Sequence, residues 1–404
     1  MSASSVPAQA TASAPPRVRG HVAVFNVPQH GHVLPTLAVV EALTARGYRV
    51  SYAVTAEFEP HVRAVGAEPV VYQAPPAGEA PEDLGEGVAQ AIEVNLGALP
   101  ELAAAFEGDR PDLVLYDVYA WAGPLLAARW GVPVVQLAPT HVPYQGMIEE
   151  MFGLDDISRI PGFPELAAAL AAHGLTSVHE LTLAPPRVVA FFPRSFQRLP
   201  ETVRAGECRY VGPALAGRSF QGRWSRPGSG REVLYVSLGS QFTRRPAFYR
   251  ACVDAFADSD WHVVMSVGSG VDRAELGPLP DHFEVHASVP QLEVLAAASV
   301  FVTHGGMGST MEALAHGVPL VAVPQMAEQR VNAGQIEELR LGVHLPRESA
   351  TGRALREAVD RVAGDPGIAA GVARTRRAIE EAGGASAAAD YVARVLSAVP
   401  AATV

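Results

Sequence analysis

The feature that most constrains the fold is a repeated alternation of short apolar runs with segments of helical periodicity. The runs are rich in Val, Leu and aromatic residues, and they occupy 21–26, 49–54, 112–116, 132–137, 188–192, 233–238, 262–267, 299–303 and 318–323. Runs this short and this apolar are typical of strands buried on both faces. Buried strands that alternate with helices form parallel sheets with helices on both sides. The sequence therefore predicts an α/β protein with doubly wound parallel sheets.

The first helix is predicted directly after the first run. Apolar residues recur at helical spacing from Val33 to Leu43. Pro35 is expected in the first turn, where its missing N–H costs nothing, and Gly47 is expected to end the helix. The segment therefore reads as a strand, a polar loop and a helix.

A break in the pattern divides the chain in two. Residues 212–232 read GPALAGRSFQGRWSRPGSGRE, which is typical of a linker. The strand and helix pattern then restarts, so two domains are predicted to face each other across a cleft, where such folds bind ligands. The predicted parts are a disordered tail (1–20), a first domain (21–212), a linker (213–230), a second domain (231–385) and a final helix and tail (386–404) that could pack back on the first domain.

Composition and charge exclude several classes of protein. The formal net charge of −11 opposes nucleic acid backbones and anionic membrane surfaces alike. Cys208 and Cys252 give no disulfide framework and no paired metal-ligand spacing, as expected in a reducing compartment. The first twenty residues lack the apolar core of a secretory signal, and no later run approaches the ~20 apolar residues of a membrane span. We therefore expect a soluble, cytoplasmic protein that binds neither nucleic acid nor membrane.

The stretch from Thr303 to Leu314, THGGMGSTMEAL, places a Gly-rich loop between a predicted strand and a predicted helix. Glycines let the backbone approach a ligand closely, and the N–H groups and dipole at a helix start favour a phosphate. Ser309 and Glu312 also have the Ser-x-x-Glu spacing of a capping box. The residues alone leave the anion site and the capped turn equally open.

A dinucleotide-binding fingerprint is a third interpretation of the same loop. Gly306 and Gly308 form G-x-G after a strand, and Glu328 lies twenty residues beyond Gly308. Met311 stands where the fingerprint needs a Gly or Ala for close helix packing. The pattern is therefore broken, and a nicotinamide enzyme is only a minor alternative.

Two histidines follow the first strand in the segment PQHGHVLP, and they are expected to face the cleft. His30 or His32 could act as a general base, because a helix N-terminus disfavours the imidazolium and keeps the ring neutral. Hydrogen bonding at the helix start is an equally good explanation, and a His-x-His metal pair is a weaker one. Asp117 ends a strand on the same side and could fix the tautomer of that base, or simply cap the next helix.

A second candidate for metal binding is Asp258-Ser259-Asp260, which resembles a DxD pair, in which two carboxylates hold a divalent ion. The run precedes a strand rather than following one. It is therefore expected at the end of the sheet that lies away from the cleft.

Five motifs occur along the chain in a fixed order. They are HGHVLPTL (30–37), LVLYD (113–117), SLGS (237–240), VPQ (289–291) and the long stretch from Thr303 to Gln329. In order and spacing they resemble the inverting family 1 glycosyltransferases, especially the bacterial macrolide glycosyltransferases. The resemblance implies a GT-B fold, with two Rossmann-like domains facing across a cleft. It also implies transfer of a hexose, typically glucose from UDP-glucose, to a hydroxyl of a small apolar acceptor such as a macrolide or a polyphenol. No cofactor and no metal are implied, since the nucleotide sugar is a co-substrate.

The resemblance assigns roles to individual residues. His32 matches the catalytic base of the family, and Asp117 matches its partner. The donor contacts it implies are Ser240 near the phosphates, Val289 and Gln291 at the base, His304, Gly306, Met307, Gly308 and Ser309 around the diphosphate, Glu312 at the ribose, and Glu328 with Gln329 at the sugar.

The chain departs from the family at Ser288, where a tryptophan usually stacks on the uracil ring. Such stacking contributes about 1–3 kcal/mol, so its absence predicts weaker selection between UDP and TDP. Acceptor contacts are expected from the first domain, although these residues would suit a core equally well: Trp121, Tyr144, Met147 and Phe152.

Two other functions fit the same fold. A nucleotide-sugar epimerase would interconvert sugars without an acceptor. A non-catalytic homologue that only binds a nucleotide sugar would be expected to lack His32 or Asp117, and both are present.

Overall fold

Two parallel sheets form the framework of the molecule. The computed structural model describes residues 19–75, 81, 83–175, 178–215, 219–241 and 244–398. The first sheet has the strands β1 (His21–Phe25), β2 (Arg49–Val54), β3 (Glu68–Val71), β4 (Leu113–Asp117), β5 (Val134–Ala138), β6 (Arg187–Ala190) and β7 (Glu207–Tyr210). The second sheet has β8 (Val233–Ser237), β9 (His262–Ser266), β10 (Phe283–His286), β11 (Ala298–Thr303), β12 (Leu320–Ala322) and β13 (Gly342–His344). All neighbouring strands in both sheets are parallel, as the apolar runs predict.

Helices connect the strands. Those associated with the first sheet are α1 (His30–Ala45), α2 (Glu59–Ala64), α3 (Leu84–Ala105), α4 (Ala122–Trp130), α5 (Met147–Phe152), α6 (Phe163–Ala172) and α7 (Val178–Leu183). The later helices are α8 (Pro246–Phe256), α9 (Gln291–Leu295), α10 (Met307–Ala315), α11 (Ala327–Glu338), α12 (Gly352–Gly364), α13 (Pro366–Ala382) and α14 (Gly384–Ser397).

The strand order puts a topological switch point in each sheet. The order is β3-β2-β1-β4-β5-β6-β7 in the first sheet and β10-β9-β8-β11-β12-β13 in the second. The chain therefore leaves β1 and β4 in opposite directions, and likewise β8 and β11. In open parallel sheets, ligands bind outside the carboxyl ends of the strands at such a point. The loops after these four strands are thus the first places to look for a site.

Helix α1 begins earlier than the sequence suggests. It starts at His30, because the carbonyl of Gln29 accepts the N–H groups of His32 and Val33 at 3.0 and 2.9 Å. Pro35 consequently lies in the second turn, which corrects its predicted place in the first. No side chain caps this start, so the sequence carries no signal for it. Gly47 follows the helix with φ +85°, as expected for a stop residue.

Helix α14 packs against α1, which belongs to the half with the first sheet. Gly383 and Gly384 both have positive φ, and there the chain turns from α13 into α14. Tyr391 and Val392 of α14 lie in the same apolar cluster as Leu37 of α1. The predicted tail lies outside the described residues up to position 18, as do 216–218 of the predicted linker and 399–404.

Apolar contacts also join the two halves. Phe192 and Phe196, which follow β6, belong to one buried cluster with the core of the second sheet. Among the helices that the structure describes, none is both long and apolar enough to cross a membrane.

Candidate active site

The two switch points open toward each other across one cleft. Thr140 Oγ1, after β5, donates to Glu328 Oε1 of α11 at 2.9 Å. Gln241 Nε2, after β8, donates to Gln29 Oε1 before α1, also at 2.9 Å. Side chains of the two halves therefore meet at the carboxyl ends of both sheets.

A histidine and a carboxylate form a pair at the first switch point. Asp117 is the last residue of β4 and is fully buried. Its Oδ2 lies 2.8 Å from Nδ1 of His32, and its Oδ1 accepts the N–H of Tyr119 at 2.9 Å. A carboxylate only accepts, so the proton of a neutral His32 ring belongs on Nδ1. Nε2 is therefore free to accept a proton, and 17% of the His32 side chain is exposed.

The electrostatics of His32 differ from the sequence expectation. Burial is the largest influence on the ring and lowers its pKa, but the charge and hydrogen bond of Asp117 and the charge of Glu328 outweigh it. The net pKa of His32 is raised above 6.5. The direction of this shift is opposite to the one expected from the helix start alone, because Asp117 and Glu328 both act on the ring.

His30 has different surroundings. Its side chain is 47% exposed, its ring lies edge-on to Phe58 at 5.0 Å, and its Nε2 is 4.0 Å from Glu57. The structure thus brings His32, and not His30, to Asp117. No group of three His, Cys, Asp or Glu side chains is arranged to hold a metal ion within the ranges that the structure describes.

The Gly-rich loop packs closely around the half-buried imidazole of His304. Helix α10 begins at Met307, with Gly306 as its N-cap. An ideal Cβ would meet the ring of His304 at 2.3 Å if placed on Gly306 and at 2.7 Å if placed on Gly239. Only glycine allows both loops to close on the ring this tightly. Burial lowers the pKa of His304 to about 4, so the ring is neutral near pH 7.

The capping-box explanation of Ser309 and Glu312 is wrong. The helix starts two residues before Ser309, and no side chain caps it. Glu312 is instead 4% exposed and accepts from Gln291 Nε2 at 2.6 Å. Gln291 Oε1 in turn accepts from the hydroxyl of Tyr235 at 3.0 Å. Gln291, the first residue of α9, and Glu312 therefore form a hydrogen-bonded polar pair beside the loop. Val289 and the exposed Ser288 come just before this pair in the chain.

Glu328 and Gln329 begin α11 on the cleft side. Gln329 Oε1 accepts the N–H of Gln325 at 2.8 Å, which fixes the turn before the helix. Burial, the largest influence, raises the pKa of Glu328, and the hydrogen bond from Thr140 lowers it only in part. The dinucleotide fingerprint fails at two positions. Met311 fills the buried place where the fingerprint needs a small residue, and Glu328 accepts a hydrogen bond from Thr140 across the cleft.

Of the four expected acceptor contacts, Trp121 belongs to the core. It is 1% exposed and lies edge-on to Phe163 at 6.1 Å, behind Tyr119. Tyr119 is the aromatic residue that faces the site, with its ring 5.7 Å from that of His32.

The other three expected contacts lie together where α5 meets α11. Tyr144, Met147 and Phe152 form an apolar cluster with Met151 and Val331. In this cluster, apolar groups of the first half meet Val331, which lies one helical turn after Glu328 on α11. Asp258 and Asp260 lie in the turn before β9, at the end of the sheet away from the cleft.

Sequence reasoning missed three residues of the site: Thr140, Asn332 and Tyr235. Thr140 follows a strand end, as Asp117 does, and that position was a usable signal. Asn332 lies one helical turn after Glu328 on α11, and its Nδ2 donates to the carbonyl of Gly305 at 2.9 Å. Tyr235 lies inside a buried strand, where a tyrosine reads as core.

Known proteins resemble the chain over nearly its whole length. A family model described as the C-terminal domain of erythromycin biosynthesis protein CIII-like proteins matches residues 250–390. The NDP-glycosyltransferase YjiC of Bacillus licheniformis is 41% identical over 395 residues, which cover 93% of this chain and 98% of that protein. The oleandomycin glycosyltransferase of Streptomyces antibioticus is 39% identical over 389 residues, covering 92% and 90%.

Solved structures agree. The kitacinnamycin glycosyltransferase is 38% identical, with a TM-score of 0.85 over 94% of this chain and 100% of that one. The calicheamicin glycosyltransferase CalG4 is 36% identical, with a TM-score of 0.82 over 95% and 99%. The two α/β halves, each with a parallel sheet, face each other across a cleft. Together with these similarities, they define a glycosyltransferase of GT-B fold. The chain belongs to the family 1 glycosyltransferases that include macrolide glycosyltransferases, which confirms the resemblance of its motifs.

Proposed function

We propose that this glycosyltransferase transfers a hexose, with inversion, from a nucleotide diphosphate sugar to a hydroxyl of a small apolar acceptor, and that the preferred donor is UDP-glucose. One observation carries the proposal. The pair of His32 and Asp117, 2.8 Å apart, lies at the carboxyl end of the first sheet, and the loop before His32 contacts the loop after β8, which packs on His304 beside the Gly-rich start of α10. A general base and an anion site thus face each other across a cleft.

His32 acts as the base in this mechanism. Its Nε2 takes the proton of the acceptor hydroxyl while the oxygen attacks the anomeric carbon, and the bond from that carbon to the diphosphate breaks. Asp117 holds the proton on Nδ1 and stabilises the imidazolium that forms. The leaving diphosphate gains its negative charge at the N–H groups and dipole of α10, beside His304, Gly306, Met307, Gly308 and Ser309.

The donor is held by the second half. Glu312 accepts from the ribose hydroxyls, Gln291 and the backbone of Val289 contact the base, and Ser240 lies near the phosphates. Glu328 and Gln329 bind the hydroxyls of the sugar, which favours glucose over a deoxysugar. A relative from Streptomyces fradiae, 37% identical, is named a mycarosyltransferase, so the sugar is a property to be tested for each chain.

The acceptor is a macrolide or a polyphenol, bound against Tyr144, Met147 and Phe152. The apolar cluster of these residues at the cleft supports this class of acceptor. The names of relatives that act on oleandomycin and demethyllactenocin point the same way.

The test is incubation of the protein with UDP- and TDP-sugars, with and without a panel of macrolides and polyphenols, and detection of products by mass. We expect a mass increase of one hexose on an acceptor hydroxyl and release of the nucleoside diphosphate. Interconversion of sugars without an acceptor would instead indicate an epimerase. Binding of the nucleotide sugar without any product would indicate a non-catalytic homologue.

Transfer is expected to be independent of metal ions. The leaving diphosphate is stabilised by peptide N–H groups and a helix dipole, so no bound cation is needed. Rates measured with and without EDTA should agree. Loss of transfer in EDTA, with recovery in magnesium or manganese, would contradict this role of α10 and bring Asp258 and Asp260 back into question.

Replacement of Glu312 by Ala is expected to weaken UDP binding. The carboxylate makes charge-assisted hydrogen bonds to ribose, each contributing about 1.5–3 kcal/mol before competition by water. Calorimetric titration with UDP measures the effect, and a thermal melt of the same variant measures its stability. A loss of thermal stability without any change in UDP affinity would show that Glu312 is structural.

A further inference from the structure

Two buried polar side chains, one from each half, lie beside the Gly-rich loop. His141, in the loop after β5, is 2% exposed, and Asn332 of α11 is fully buried. Nε2 of His141 and Oδ1 of Asn332 are both buried, and neither has a hydrogen-bond partner among the residues that the structure describes. Burial and the charge of Arg198 lower the pKa of His141 to about 3, and the side chain of Asn332, which is close enough to act on the ring, opposes them. Unpaired buried groups are costly, so this pair needs an explanation.

The surroundings of His141 determine which group it offers. Its Nδ1 accepts the N–H of Arg198 at 3.3 Å, so the proton of the neutral ring belongs on Nε2. The ring is stacked on Phe196, with centroids 5.8 Å apart and planes 5° apart, and it lies edge-on to Phe192 at 5.7 Å. His141 therefore presents a donor in a fixed direction from the first half.

Asn332 connects the acceptor group to the loop. Its Nδ2 donates to the carbonyl of Gly305 at 2.9 Å, and Gly305 directly precedes the N-cap of α10. Gly305 has φ +77°, a left-handed conformation that favours glycine. A shift of the Asn332 amide therefore shifts the peptide that leads into the phosphate-binding residues.

We propose that His141 is a positioning residue for this loop: its Nε2–H pairs with Asn332 Oδ1 across the two halves when a nucleoside diphosphate binds, and so holds Asn332 on Gly305. The inference rests on the proposed function, because that function places the diphosphate at α10. A donor and an acceptor that face each other need only a small relative movement of the halves to pair. The half that supplies the base thereby also tightens the donor site.

Three variants of His141 separate this role from simple packing. His141→Phe keeps a ring that can stack on Phe196 but has no donor, and His141→Asn keeps an acceptor for Arg198 but does not reach Asn332. Each should raise the Kd of UDP by about three- to tenfold, the range for one hydrogen bond. The acceptor KM should stay near that of the unmodified enzyme in both variants, and so should the melting temperature of His141→Asn, which keeps an acceptor for the Arg198 N–H. His141→Gln carries an amide N–H near the place of Nε2 and should restore UDP affinity.

A matched control is available on the same helix. Gln335 Nε2 donates to the carbonyl of Phe196 at 3.3 Å, so it also joins the halves but does not touch Gly305. Gln335→Leu should leave UDP affinity unchanged. In an Asn332→Ala background, His141→Phe should have no further effect on UDP affinity, because the pair acts as one unit.

Calorimetric titration with UDP decides between the outcomes. Unchanged affinity in both His141→Phe and His141→Asn would overturn the inference while leaving the proposed function intact. Equal weakening by Gln335→Leu would also overturn it, since docking of the halves in general would then be responsible. An unmodified enzyme that binds neither UDP nor TDP would overturn the proposed function itself.

Discussion

His32→Ala is expected to lower kcat for transfer to an aliphatic alcohol by about 100- to 10,000-fold, the range for removal of a general base. An aliphatic alcohol keeps its proton at neutral pH. Among the described residues, no other imidazole is hydrogen-bonded to Asp117 and could remove that proton. UDP affinity should hardly change, because the proposed donor contacts lie in the second half. Steady-state rates at saturating donor, with calorimetric titration of UDP, measure both quantities.

His30→Ala is the matched control. His30 is two residues away on the same helix, but its ring is largely exposed and lies on Phe58. Its removal should leave kcat close to that of the unmodified enzyme. An inactive His30→Ala together with a near-normal His32→Ala would move the base to His30.

Asp117→Asn should lower kcat less severely, by about 10- to 1,000-fold, because the imidazole remains while its tautomer and developing charge lose their support. An amide can offer an N–H to Nδ1 and so favour the wrong tautomer. The fold should persist, since Asn has nearly the shape of Asp and the N–H of Tyr119 retains an acceptor.

The pH dependence of Asp117→Asn provides a separate readout. The base must be neutral, so kcat/KM rises as the pH rises through the pKa of His32. In the unmodified enzyme this pKa is raised, since the charge and hydrogen bond of Asp117 and the charge of Glu328 together outweigh burial. Without the charge of Asp117 the pKa falls, and the acid limb should move to lower pH. A limb that stays in place or moves to higher pH would show that Asp117 does not support the base.

Much of the fold could be predicted because the central strands are buried on both faces. β1, β4, β8 and β11 are apolar runs, and the sequence shows them directly. The peripheral strands were missed for a physical reason. β7 alternates between exposed and half-buried residues, and β13 has only three residues, so neither forms an apolar run.

The candidate site was predictable where it depends on one sheet at a time. His32 and Asp117 follow neighbouring strands of the first sheet, and the Gly-rich loop follows a strand of the second. The contacts between the halves were not predictable, because no local pattern encodes how two sheets sit against each other. The pairing of Thr140 with Glu328, the charge of Glu328 at His32 and the facing of His141 and Asn332 all belong to that group.

The dependence of the His32→Ala defect on acceptor acidity tests most directly the claim that His32 is the base. A phenol or thiol gives up its proton more readily than an aliphatic alcohol, so it needs less help from a base. The measurement is the ratio of kcat in the unmodified enzyme to kcat in His32→Ala, for an aliphatic alcohol, a phenol and a thiol at one pH. We predict a large ratio for the alcohol and a markedly smaller one for the phenol and the thiol. Equal ratios for all three acceptors would contradict proton removal by His32 and leave it a role only in binding or packing.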